Sequence, residues 1–155
     1  MTTAEKISFK QSLKLFCQQT IAQRMDATKA LIQDAQDAAN NEEKSSAGDK
    51  YETSRAMGHL QKDMHTRQLE QYIKEQSELM AVQANVLCEQ AVAGAFIQTG
   101  QAAFFIAAGL GKQRIESQSI FFLSPHAPLA QALQGKKKGD SFVFNNNTIT
   151  IAELF

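Results

Sequence analysis

Asn40-Asn41-Glu42-Glu43-Lys44-Ser45-Ser46-Ala47-Gly48-Asp49 is the stretch that decides how this chain folds. It gathers Asn, Ser, Gly and Asp, the residues that favour turns. On either side, apolar residues recur in steps of three and four. Upstream they are Leu13, Phe16, Cys17, Ile21, Met25, Thr28, Leu31, Ile32, Ala35 and Ala38. Downstream they are Tyr51, Met57, Leu60, Met64, Leu69, Tyr72, Ile73, Leu79, Met80 and Leu87. Gln, Lys, Glu and Asp fill the faces between. Each run predicts a long helix with one narrow apolar stripe. Such a stripe forms no globular core alone and wants one partner helix. The short turn predicts that the two helices fold back as an antiparallel hairpin. Each arm has about 30–35 residues, roughly 45–50 Å at 1.5 Å per residue. The same periodicity also fits a plain dimerisation coiled coil.

Moving outward, the grammar changes near residue 91. Residues 1–90 hold 11 of the 16 Lys/Arg and 13 of the 16 Asp/Glu, with no Pro and only Gly48 and Gly58. Residues 91–155 hold six of the eight Gly, both Pro and eight of the ten Phe. The first part avoids helix breakers; the second is rich in turn and strand formers. Strands are predicted over Ala95–Gln98, Ala102–Ala107, Ile120–Leu123, Ser141–Phe144 and Thr148–Ala152. Asn145-Asn146-Asn147 tolerates left-handed backbone, so the last two strands should form a hairpin. Pro128 suits the first turn of a short helix, Pro128–Gln134, which Gly135 ends. The expected fold class is α+β: a helical hairpin over 1–90 with its tip near 40–52, then a small antiparallel β domain over 91–155 with one short helix.

The 155 residues and 17.1 kDa fit one ordinary domain or two very small ones. Sixteen basic and sixteen acidic residues give zero formal charge, which argues against a strongly basic nucleic-acid binder. The longest apolar runs, such as Ala102–Leu110, fall short of the ~20 residues a membrane helix needs. Met1–Lys10 has no apolar signal core. Cys17 and Cys88 stand far apart without a metal-ligand pattern, and predict two reduced thiols, both small buried apolar groups, in a cytoplasmic protein. Gly109-Leu110-Gly111-Lys112 is followed by Gln113 rather than Ser or Thr, so it does not read as a phosphate loop. His59 and His65 are six apart and point to different helix faces; neither these nor His126 reads as a metal ligand. Met57, Met64 and Met80 read as core. Lys136-Lys137-Lys138 reads as a solvated turn, since three charges give little phosphate affinity. No motif of nucleophilic catalysis is present.

The chemically suggestive place is the turn. Glu42, Glu43, Asp49 and Glu52 gather within eleven residues. Carboxylates there are hard oxygen ligands suited to Mg²⁺ or Mn²⁺, too few for a full cage. The plainer reading is an acidic exposed turn whose carboxylates favour the start of the second helix.

A long helical hairpin with an acidic turn, followed by a small β domain, resembles the Gre transcript-cleavage factors of bacterial RNA polymerase. The sharper likeness is Leu123-Ser124-Pro125-His126-Ala127-Pro128-Leu129-Ala130-Gln131-Ala132-Leu133-Gln134-Gly135-Lys136-Lys137-Lys138-Gly139-Asp140. It resembles the family signature of a strand followed by Ser-Pro-Leu-Gly/Ala-x-Ala-Leu-x-Gly-Lys-x-x-Gly-Asp. Pro128, Leu129, Ala130, Ala132, Leu133, Gly135, Lys136, Gly139 and Asp140 fall on the pattern, while Ala127 stands where the family has Ser. At the tip the family shows Gly-Asp-x-x-Glu-Asn-Ala-Glu/Asp-Tyr. Gly48-Asp49-Lys50-Tyr51-Glu52 matches its beginning, with Asp49 and Glu52 as the paired acids. Aligned on Tyr51 instead, the preceding acids are Glu42, Glu43 and Asp49, and the family's acidic positions fall on Lys44 and Ala47. Both registers stay open.

The resemblance implies an FKBP-like fold for residues 91–155, without isomerase activity, because function lives in the site. It implies docking on the rim of the polymerase secondary channel, with Ser124, Pro125, Pro128, Leu129, Leu133, Gly135 and Lys136 as candidate contacts. It implies a monomer that is not an enzyme itself, holds no metal alone, has no intrinsic cofactor and has no membrane partner. Its tip acids, Asp49, Glu52, Glu43 and Glu42, would share Mg²⁺ with the polymerase active site and act indirectly on the nascent RNA 3′ end. A channel-binding regulator without cleavage activity and a coiled-coil dimerisation module are the alternatives.

Overall fold

The computed structural model describes residues 1–44 and 48–155, and side chains other than those of residues 42–51. The elements run α1 (Thr3–Lys44), α2 (Gly48–Met80), β1 (Phe96–Thr99), β2 (Ala103–Ile106), β3 (Gly111–Ile115), β4 (Gln118–Leu123), α3 (Pro128–Leu133), β5 (Ser141–Phe144) and β6 (Asn147–Leu154). The fold is α+β, as expected. No helix among the described residues is long and apolar enough to cross a membrane. The chain forms two compact units, Gln19–Ser77 and Met1–Gln18 with Glu78–Phe155, so α1 contributes to both.

Both helices reach further into the 40–49 stretch than its turn-forming residues predict. Asn40–Lys44 is the last turn of α1, and Gly48 opens α2. Glu and Lys are good helix formers, and Gln36 Nε2 donates to Asn40 Oδ1 at 3.1 Å one turn later. Residues 45–47 of the expected turn lie outside the described residues.

Within Gln19–Ser77 the helices pair antiparallel. Lys62 Nζ donates to Gln36 Oε1 at 2.7 Å, and a Cβ on Gly58 would stand 3.7 Å from that of Ala39. α1 buries Ile21, Met25, Thr28 and Ala35. α2 turns Gly58, Lys62, His65, Leu69, Tyr72 and Gln76 inward, alternating steps of four and three, and all are half-buried. This seam differs from the expected stripe. Met57, Leu60, Met64 and Ile73 are exposed, as is Leu31 on α1, and so is Met80 where α2 ends in the other unit. α2 carries two apolar rows, and the row of Leu69 and Tyr72 is the more buried; Met57, Met64 and Met80 are surface residues rather than core.

In the other unit, Thr2 and Glu5 start α1 with a reciprocal capping box. Glu5 N donates to Thr2 Oγ1 at 3.2 Å and Thr2 N donates to Glu5 Oε2 at 2.6 Å. The bond that the carboxylate accepts from Thr2 N holds the Glu5 carboxyl below its ordinary value. The sheet has the order β3-β4-β2-β1-β6-β5. Its pairs are antiparallel except β2 with β4, which run parallel because β3 lies outside them. β3 was not expected: Gly111-Lys112-Gln113-Arg114-Ile115 is a polar, largely exposed edge strand without an apolar run. Asn145 and Asn146 take φ of 52° and 63°, which closes the β5–β6 hairpin as their residue type predicts.

One sheet face packs Ile97, Phe104, Ile106, Phe142 and Ile151 under Ala130 and Leu133 of α3. The Phe104 ring stacks on Phe121 and meets Phe142 and Phe144 edge-on. Elsewhere in this unit, Phe9 meets Phe96 edge-on at 5.0 Å and Phe16 lies 5.3 Å from Phe122. Cys17 is fully buried, and burial pushes its thiol up to about 12. Both cysteines are free thiols, but only Cys17 is buried as expected; Cys88 is half-buried, on the irregular connection after α2.

Candidate functional site

The segment from Leu123 to Asp140 is a strand end, a tight turn, a one-and-a-half-turn helix and a second turn. Its geometry follows from its residue types. After β4, Ser124 Oγ accepts from His126 N at 3.2 Å and Ser124 O accepts from Ala127 N at 3.0 Å. Ala127 is the N-cap of α3, with extended backbone and no side-chain cap bond. Pro128 occupies the first helical position, where a missing N–H costs nothing. Gly135 ends the helix at φ 79°, a left-handed conformation that suits glycine. Its N–H donates to Ala91 O at 3.0 Å, while Ala91 N donates to Lys136 O at 2.8 Å. Asp140 then closes the Lys-rich turn: its Oδ2 accepts from Lys137 N at 2.8 Å, and its carbonyl accepts from Ile151 N at 2.8 Å.

These positions divide by role. Leu133 is fully buried in the core, so its side chain presents nothing to a partner and instead fixes α3 on the sheet. Gly135 acts through its backbone. Pro128 is exposed, while Ser124, Pro125, Leu129 and Lys136 are half-buried. The outer face of this segment is therefore Pro128, with parts of Ser124, Pro125, Leu129 and Lys136. Lys138 leaves the basic turn to pair with Glu153 at 3.3 Å, and Lys6 approaches the same carboxylate at 3.2 Å. Those two hydrogen bonds, Lys6 first, hold the Glu153 carboxyl below its ordinary value.

At the other candidate site, Glu52 is an exposed residue in the second turn of α2. Glu42 and Glu43 belong to the last turn of α1, and Asp49 is the second residue of α2. The side chains of Glu42, Glu43 and Asp49 lie outside the described residues. Asp49 and Glu52 stand three apart on one helix, the spacing of neighbours on a helix surface.

A feature the sequence did not signal lies around the connection after α2. The sequence carries Leu87 as part of the second arm, yet α2 stops at Met80 and residues 81–94 are irregular. No Gly or Pro marks that stop. Lysines from α1 reach this end and the connection after it: Lys14 Nζ donates to Met80 O at 3.4 Å and to Val82 O at 2.7 Å, and Lys10 Nζ donates to Val86 O at 2.7 Å. The connection borders an open cleft of about 780 Å³, whose lining includes Glu78, Val82, Val86, Cys88, Pro125 and His126. His126 Nε2 stands 3.6 Å from Glu78 Oε1 at this cleft.

No protein-family model, no curated protein and no solved structure matches the chain significantly.

Proposed function

We propose that this protein is a Gre-type transcription elongation factor that binds bacterial RNA polymerase and promotes cleavage of backtracked RNA. The observation that carries this reading is the Leu123–Asp140 signature. Its residues serve one compact device: Pro128 starts α3, Gly135 reverses the chain and Asp140 ties the following turn. The antiparallel pairing of α1 and α2, with Glu42 and Glu43 at the end of one and Asp49 and Glu52 at the start of the other, supports it further.

On this reading, Pro128, Leu129 and Lys136 touch the rim of the secondary channel, and the hairpin enters the channel. Asp49 and Glu52, or Glu42 and Glu43 in the other register, bring carboxylates to a Mg²⁺ ion shared with the polymerase. The fit is chemically sound: carboxylates are the donors Mg²⁺ prefers, and two of them leave positions for polymerase aspartates and water. The ion's contribution when bound is charge stabilisation at the cleaved phosphodiester. The chain's own residues supply position and negative charge.

Pull-down with core bacterial RNA polymerase tests the reading. Retention at micromolar protein is expected, weakened at least several-fold by a Leu129→Asp, Lys136→Glu double variant. No retention of the wild-type chain removes the proposal.

A further inference from the structure

Lys10 and Cys88 meet inside the sheet-bearing unit, 78 positions apart in sequence. The Lys10 side chain is 0% exposed. Its Nζ lies 3.5 Å from Cys88 Sγ while donating to Val86 O. Cys88 is a free, half-buried thiol on the wall of the 780 Å³ cleft. The cleft thus brings a small oxidant up to Cys88, whose sulfur already has an amine in contact with it. Burial also holds the Lys10 ammonium below its ordinary value, against an opposing pull from Cys88, which favours some neutral amine.

We propose that Cys88 is a peroxide-oxidisable thiol and that Lys10 traps its oxidised form as a covalent sulfur–nitrogen cross-link. The Cys88 sulfur attacks one oxygen of hydrogen peroxide. An S–O bond forms, the O–O bond breaks, and the departing oxygen leaves as water. Sulfur is oxidised to sulfenic acid and peroxide is reduced. The Nζ lone pair of neutral Lys10 then attacks that sulfur. The S–N bond forms, the S–O bond breaks, and the hydroxyl leaves as water with an Nζ proton. The sum is thiol, amine and one peroxide giving a sulfenamide and two waters. It extends to a side-chain amine the known condensation of sulfenic acid with a backbone nitrogen. The link staples α1 to the connection that follows α2, and a thiol reductant reverses it.

The test treats the native chain with hydrogen peroxide, followed by intact mass and peptide mapping. The expected product is about 2 Da lighter, joins the Lys10 and Cys88 peptides, and returns to the starting mass with dithiothreitol. Lys10→Arg keeps the cation without a usable nucleophile. It should stop at a sulfenic acid that dimedone traps, with no joined peptides. Cys17, buried and with its thiol at about 12, stays reduced and serves as the internal reference. A wild-type Cys88 that remains a thiol overturns the proposal, as does one that advances to sulfinic acid with the Lys10 peptide free. This readout is on the wild-type chain and does not depend on any variant folding.

Discussion

Ala127 shows how much one missing oxygen matters at the residue scale. It caps α3 with backbone only. A hydroxyl at this position would accept from the free amides of the first turn. Ala127→Ser should therefore stabilise the protein by about 0.5–1 kcal/mol in urea unfolding. A neutral or destabilising result would mean that the cap position is filled another way. Glu153 gives a pH-dependent counterpart. Lys6 and Lys138 lower its folded value below the ordinary 4.5, so its stabilisation is complete above that value. It fades as pH falls through the folded value, where the carboxylate protonates. The side chain is 36% exposed, so solvent screens the pairs. Glu153→Gln should cost less than about 1 kcal/mol at pH 7. The two proteins should converge in stability below pH 4.5. A gap that persists or widens in acid contradicts the assignment.

At the scale of elements, the chain was legible wherever local chemistry acts alone. Ser141–Phe144 is an apolar run before three asparagines, and the strand and its hairpin lie where residue type puts them. Pro128 and Gly135 bracket α3 for the same reason. At three features the local apolar pattern misleads. α2 has two apolar rows, and periodicity cannot say which one is the more buried. β3 is held by backbone pairing to β4 rather than by an apolar face. α2 ends where Lys14 reaches the carbonyls of Met80 and Val82, a contact no local signal announces. The same limit governs the sites. The signature segment was legible as a motif, yet Leu133 within it proves to be core, and the Lys10–Cys88 contact joins residues 78 apart. The seam offers its own test. Gly58 sits mid-helix, and a methyl there meets only ordinary contact with Ala39 at 3.7 Å. Gly58→Ala should raise stability by about 0.5–1 kcal/mol. A loss of more than about 1 kcal/mol would show the helices closer together than this packing allows.

On the scale of the whole molecule, the two proposed tasks fall on different compact units. The signature segment belongs to the sheet-bearing unit, and the turn acids belong to Gln19–Ser77. Binding and chemistry should therefore separate by mutation. The sharpest measurement adds the protein to stalled, backtracked polymerase complexes with Mg²⁺ and follows the RNA 3′ end. The account predicts short 3′ fragments with the wild-type chain. It predicts their loss, with polymerase retention unchanged, for an Asp49→Ala, Glu52→Ala double variant or its Glu42→Ala, Glu43→Ala counterpart. Retention without fragments from the wild-type chain would contradict the cleavage role and leave a channel-binding regulator in its place.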